Sequence, residues 1–398
     1  MNKKISLGVA LSLIFIAIAA SVSITMSVFM KVYNDIIKDL PGREKLYSTV
    51  SEIDELIRTE YYGEIDSSLL NQNVSAGYIN GLGTSSCRYM TAAQYAEYRS
   101  RIEGKMSGIG VTAVWDDAWS GLYVSAVFQS SPAQAAGLAE GDVIVSVDEV
   151  AVTEENSAQS LEKLSGERLT TVNIAYKRAD QLVTVSVAKG YYSQAVHSEA
   201  IGEIGYIKIY NFYGGTLNQF KNAVSVLQSG GVTSLVIDVR DVSEGEAEYA
   251  AQVADIIVPL ATGFNGAIAK AVNRSGETVE VFSSDADELN MPMAVLVNSG
   301  TSGCGELFAC AVRDFSKGQL IGTVTRGNCM LQKTFELSDG GAVTLSVAQL
   351  VPYKSEAYQD TGLAPDMEVT LTPEQESRRD TLTLADDPQV QTAFSLFA

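Results

Sequence analysis

Val295-Leu-Val-Asn-Ser-Gly-Thr-Ser-Gly-Cys-Gly-Glu306 opens, and Thr325-Arg-Gly-Asn-Cys-Met-Leu-Gln332 closes, the stretch on which the reading of this chain turns. Residues 293–298 form an apolar, β-branched run of the kind that fills a buried strand. Residues 299–305 are a loop of small side chains. Glu306, Leu307, Phe308, Ala311 and Val312 then set a helical pattern. A strand–loop–helix turn aims backbone N–H groups at one point, where a nucleophile and an oxyanion hole are commonly built. Most such turns are only connections, so the residue types at the turn decide its use.

On these residues the chain resembles the C-terminal processing (tail-specific) serine peptidases. Members read N-x-G-S-A-S-A-S-E at the turn, with the middle serine as nucleophile, a lysine general base further on and a supporting glutamine beyond it. Asn298, Gly300, Glu306, Asp314, Gly322, Gln332, Asp339 and Gly340 all fall at family spacing without a gap. In that register the nucleophile position holds Gly303 and the base position Asn328, and of the catalytic set only Gln332 is kept. A hydrogen cannot attack a carbonyl, and an amide has no proton-accepting amine. The resemblance implies the fold and argues against the activity.

The same register extends over the exported part of the chain. Gly108, Ile109, Gly110 and Val111 resemble the carboxylate-binding loop of a PDZ domain, whose glycines let backbone N–H groups converge on a peptide's end. Ser131-Pro-Ala133, Ala136-Gly-Leu138 and Gly141-Asp-Val-Ile144 resemble the core of that module. Asp238-Val-Arg-Asp-Val-Ser-Glu-Gly245 stands where the family has D-L-R-N-N-P-G-G, a loop whose glycine amides resemble an oxyanion-hole contributor. Cys304, Gly245 and Glu244 thus mark the oxyanion region, and Glu244 puts a negative charge where an anion should be stabilised.

The resemblance implies a multidomain α/β (α+β) architecture. Residues 1–30 read as a transmembrane signal anchor, 31–104 as a helical lead-in, 105–190 as the PDZ domain and 191–398 as a mixed α/β peptidase-like core of the ClpP/crotonase type. In the lead-in, Leu46, Val50, Ile53, Leu56 and Ile57 form a helical stripe, read as a pad that packs on the later domain. Residues 5–30 are uncharged and as a helix reach roughly 39 Å. Lys3 and Lys4 before them stay cytoplasmic by the positive-inside rule, so the chain is read as a single-pass cell-membrane protein with its bulk extracytoplasmic. Ala17-Ile-Ala-Ala-Ser21 keeps a cleaved signal peptide open as the rival.

With 28 Lys and Arg against 48 Asp and Glu, the net charge of −20 argues against nucleic acid as partner. One histidine and four scattered cysteines give no zinc-type spacing, and no phosphate-cradling glycine motif appears, so neither metal nor cofactor is expected. The expected function is binding of polypeptide C-termini or regulation of proteolysis, with self-association or pairing with an active relative as further partners. The alternative is a working endopeptidase with a substitute nucleophile. Ser302 and Thr301 lie beside the lost serine, and Cys304 follows it. Lys333 is the nearest lysine past Asn328, and His197 is the sole histidine. A Cys304–Cys329 disulfide closing over the site is also open, as is a purely structural member with filled grooves.

Overall fold

The computed structural model describes residues 21–27, 30, 40–84, 86–128, 131–166, 168–179, 181–192, 195–260, 266–285 and 288–397. Of the expected anchor only 21–27 and 30 are included, as helix, and the rest of that reading lies outside the described residues. Among the described residues no helix is long and apolar enough to cross a membrane.

The chain divides into two compact units, Met1–Val74 and Ser75–Ala398. In the first, helix α1 (Leu40–Glu60) carries the expected stripe, with Leu46, Val50, Ile53 and Leu56 exposed within that unit. Helix α2 (Ser67–Asn80) crosses the boundary in sequence.

The second unit opens with β1 (Arg88–Met90) and α3 (Ala92–Ile102), which Thr91 caps by accepting the Gln94 N–H while Gln94 accepts that of Thr91. Strand β2 (Met106–Gly108) leads into a sheet of β3 (Val111–Asp116), β4 (Gly121–Val127), β5 (Val143–Val147), β6 (Val150–Ala151), β7 (Thr171–Arg178) and β8 (Gln181–Ala188). Its order is β3-β4-β5-β7-β8 with β6 on β5, and helix α4 (Ser157–Leu164) packs against β3 and β5. Ile109, Leu122, Val124, Ile144, Leu164, Ile174 and Val187 form a separate core here. Strand β9 (Gly190–Tyr192) returns to pair with β2.

Strands β10 (Val196–Ile201) and β11 (Ile204–Ile209) form a hairpin that starts the main sheet. After helix α5 (Thr216–Ser229) come β12 (Ser234–Asp238), helix α6 (Ala247–Asp255), the pair β13 (Ala267–Val272) and β14 (Thr278–Ser283), and β15 (Met293–Val297). Helix α7 (Cys304–Asp314), β16 (Gly318–Gly322), β17 (Met330–Glu336), β18 (Ala342–Pro352), β19 (Met367–Glu368) and helix α8 (Pro388–Ser395) complete the chain. The order is β10-β11-β12-β15-β16-β19, parallel from β11 onward.

Both faces of this sheet are covered, which accounts for its unbroken apolar strands. Leu235, Ile237, Met293, Val295 and Val297 face the layer of α5, α6 and α7, while Val236, Ala294 and Leu296 face Val390 and Ala393 of α8. A second sheet of β1, β18, β13 and β14, with β17 on β18, closes the other side of that layer, so α6 packs on β14 and α7 on β18. Helix α7 is therefore buried nearly all round, with Phe308, Ala309 and Val312 fully inside.

An ionic hub fixes the end of β12. Asp238 is 0% exposed, yet Arg240 (2.7 Å), Lys208 (3.4 Å) and the Tyr206 hydroxyl (2.7 Å) surround it. Arg240 reaches on to Asp387 (2.7 Å) and Gln389 (2.8 Å), tying α8 to the sheet. Burial alone pushes the Asp238 carboxyl up, but these partners outweigh it and hold it well below the usual carboxylate range. A depressed folded value stabilises above the unfolded value near ~4 and is lost as pH falls below it. Asp238→Asn should cost about 3–5 kcal/mol at pH 7 and flatten the acid limb of a stability–pH curve below ~pH 4. An acid limb as steep as wild type would remove Asp238 from that account.

Candidate functional site

The elbow after β15 is built by backbone crossings that demand particular residues. A Cβ on Gly300 would sit 2.2 Å from Asp241 Oδ1, and one on Gly322 only 2.0 Å from Val297 O. These glycines let the 238–245 loop and the chain leaving β16 pass over the end of β15. Asn298 locks the first crossing: Asp241 N–H donates to its Oδ1 (2.9 Å) and its Nδ2 donates to Asp241 Oδ1 (3.0 Å).

Glu306 locks the second. It is fully buried in the first turn of α7 and accepts from Gly303 N–H (3.0 Å), Gly327 N–H (2.6 Å), Asn328 N–H (2.8 Å) and the Thr325 hydroxyl. One carboxylate thus holds the elbow and the 325–328 loop together. Gly303, at φ 54° and ψ −105°, caps α7, and a Cβ built on it would meet only Asn328 Nδ2, at 3.7 Å. The two positions that the resemblance assigns to nucleophile and base, Gly303 and Asn328, are therefore neighbours in the fold.

Asn328 lines a cleft of ≈ 510 Å³, together with Gln332, Gly245, Glu244, Ser302 and Tyr213 among others. Gln332 Nε2 donates to Ser346 Oγ (2.8 Å), while its Oε1 is buried without a partner. Gly245, at φ 139°, lies against Phe212, whose carbonyl would be 2.5 Å from an added Cβ. Glu244 does not point bare at the elbow, since it accepts from the Tyr213 hydroxyl (3.1 Å) and lies 3.6 Å from Arg101. Its charge is compensated by residues the local motif does not contain.

The substitute nucleophiles fare differently from one another. Thr301 donates its hydroxyl to Val239 O (2.9 Å), and Ser302 is 5% exposed with its N–H on Val242 O. Cys304 is buried, and burial, with Glu246 adding to it, pushes its thiol up to about 12. Such a sulfur stays protonated at neutral pH and is a poor nucleophile. His197 lies on β10 opposite Lys208 and lines a different cleft, beside Glu140. Lys333 is turned away and lies 3.0 Å from Glu280. All four cysteines are free thiols, so the Cys304–Cys329 bridge is not formed. Iodoacetamide at pH 8 is expected to label Cys304 only after unfolding. Rapid labelling of the native chain would reinstate it as a nucleophile.

In the PDZ region Ile109 donates its N–H to Leu164 O (3.0 Å), and Gly108 and Gly110 are backed by the Tyr192 ring. One amide of the expected carboxylate loop is thereby spent inside the domain. Strand β3 lies at the edge of its sheet, beside α4.

These features define a PDZ-bearing peptidase fold with an elbow at the head of α7. Residues 203–369 match the model of peptidase family S41, and residues 107–188 that of a PDZ domain. The CtpA-like serine protease of Staphylococcus saprophyticus is 23% identical over 328 residues, covering 80% of this chain and 65% of its own length. That of Staphylococcus haemolyticus is 24% identical over 368 residues, 91% of this chain and 71% of its own. A solved S41 protease structure from Bacteroides fragilis covers 85% of this chain and 91% of that one, with a TM-score of 0.58 at 17% identity. The chain thus carries a peptidase family S41 domain together with a PDZ domain. It spans 65% of the length of the Staphylococcus saprophyticus relative.

The sequence reading missed Glu306 as an organiser, having used it only to set the register. A signal was present: an acidic residue at the third helical position, where a carboxylate can reach back to the cap N–H.

Proposed function

We propose that this chain binds polypeptides without hydrolysing them, with the PDZ domain receiving C-terminal segments, and that it regulates proteolysis by withholding ends or by pairing with an active relative. The observation that carries this reading is the nearness of Gly303 and Asn328 in the fold, a site assembled as for a serine–lysine pair with neither group present. The uncharged run of residues 5–30 behind Lys3 and Lys4 supports a single-pass anchor with the remainder outside the cytoplasm. Relatives named as serine proteases favour the rival, a working serine-type or Cys304-dependent endopeptidase. Incubating the full chain with an unfolded polypeptide separates the two. Intact polypeptide is expected, and cleavage abolished by Cys304→Ala would overturn the proposal.

A further inference from the structure

Among the described residues, no aliphatic side chain lines the cleft. Three arginines, Arg88, Arg101 and Arg326, stand with three acids, Glu244, Glu246 and Asp360, and the other positions are hydroxyl, amide, tyrosine or glycine residues. The tyrosines bring little apolar face to it. Tyr98 and Tyr213 are 6% and 5% exposed and donate their hydroxyls to Glu246 (2.7 Å) and Glu244 (3.1 Å). The charges largely answer one another: Arg101 lies 3.6 Å from Glu244, and Arg88 lies over the Tyr98 ring, 4.7 Å from its centre. At the elbow the open groups are neutral. Among the described residues the Ser302 hydroxyl has no hydrogen-bond partner and Asn328 Nδ2 no acceptor, while Asn328 Oδ1 takes the Met330 N–H (3.3 Å).

An apolar side chain entering such a cleft displaces water from polar walls and leaves them unpaired. A charged one gives up its own hydration for partners whose charge is already shared. A hydroxyl or carboxamide both donates and accepts, so it replaces the displaced water on either kind of wall. Resting on the reading that the chain binds polypeptides without hydrolysing them, we propose that this cleft selects segments rich in serine, threonine, asparagine and glutamine and rejects apolar ones, with the Ser302 hydroxyl and the Asn328 amide as its reading groups. A sugar would need an open aromatic face to stack on, and both tyrosine rings are covered, so a polypeptide fits these walls better than a glycan.

The test is fluorescence anisotropy of two labelled decapeptides on the full chain. Both end in the same four residues, so the PDZ domain meets the same terminus; the preceding six are uncharged polar in one and aliphatic in the other. The polar peptide should bind at least ~10-fold more tightly, a difference of about 1.4 kcal/mol. On the unaltered chain its affinity should change less than ~2-fold between ~0.05 and ~0.5 M salt, since no charge is read. Asn328→Leu, close in size, should weaken the polar peptide ~10-fold and leave the aliphatic one unchanged or tighter, with Ser302→Ala acting in the same direction. Equal affinity of the two peptides, a steep salt dependence, or a polar preference untouched by both variants overturns the inference and leaves non-hydrolytic binding standing. Displacement of the polar peptide by a neutral oligosaccharide at equal concentration assigns the cleft to glycans and overturns it too. Cleavage of either peptide, or binding of neither, removes the reading beneath it instead.

Discussion

Gly303→Ser combined with Asn328→Lys should confer peptidase activity on a chain proposed to bind without hydrolysing. A Cβ placed on residue 303 would meet Asn328 Nδ2 at 3.7 Å and nothing else within 4 Å, so a serine fits without displacing a neighbour. Its left-handed φ of 54° makes the substitution cost about 1–2 kcal/mol, a strain that nucleophile elbows tolerate. A lysine at 328 starts from a backbone pinned by Glu306, and Gln332 Oε1 is an acceptor waiting without a donor. Partial burial lowers the pKa of such an amine toward that of a base. Nucleophile and base act as a unit, so either single variant should stay near background while the pair gains roughly 10³-fold. The measurement is fragment release from an unfolded polypeptide, followed by mass. Silence of the double variant, with its fold verified, would mean that the oxyanion loop carrying Ser243 and Glu244 is a further block.

Removing the Glu306 carboxylate should have the largest effect on stability. Glu306→Ala strands the Gly327 N–H and the Thr325 hydroxyl in a buried site and leaves the part-buried Gly303 and Asn328 N–H groups without their acceptor. Orphaned buried donors cost ~1–3 kcal/mol each, and partial relaxation brings the expected total to about 3–5 kcal/mol. For a unit of this size that lowers Tm by roughly 10 °C. Glu306→Gln keeps one acceptor oxygen and should lose about half as much. A change under ~2 °C for the alanine variant would show that the loop is held by other contacts.

Much of the fold was legible because its signals are local. The run 293–297 reads as a buried strand since alternate residues meet α5–α7 and α8, leaving no polar face. The glycines at 300 and 322 mark backbone crossings, and the 108–144 motifs mark a PDZ domain, now matched over 107–188. In the lead-in stripe, helical spacing tells that a helix has an apolar side but not what covers it. Leu46 and Ile53 remain at 40% and 52% exposure.

The amino-acid sequence by itself determined which atoms are missing. No nucleophilic oxygen exists at Gly303 and no amine at Asn328, whatever the chain does around them. Only the tertiary structure decided that these two positions are neighbours and that Tyr213 and Arg101 take up the Glu244 charge. It also decided that Cys304 is buried with its thiol protonated. The physical reason is range: chemistry is a property of each side chain, whereas desolvation and charge compensation depend on groups brought from distant parts of the chain, which no local spacing encodes.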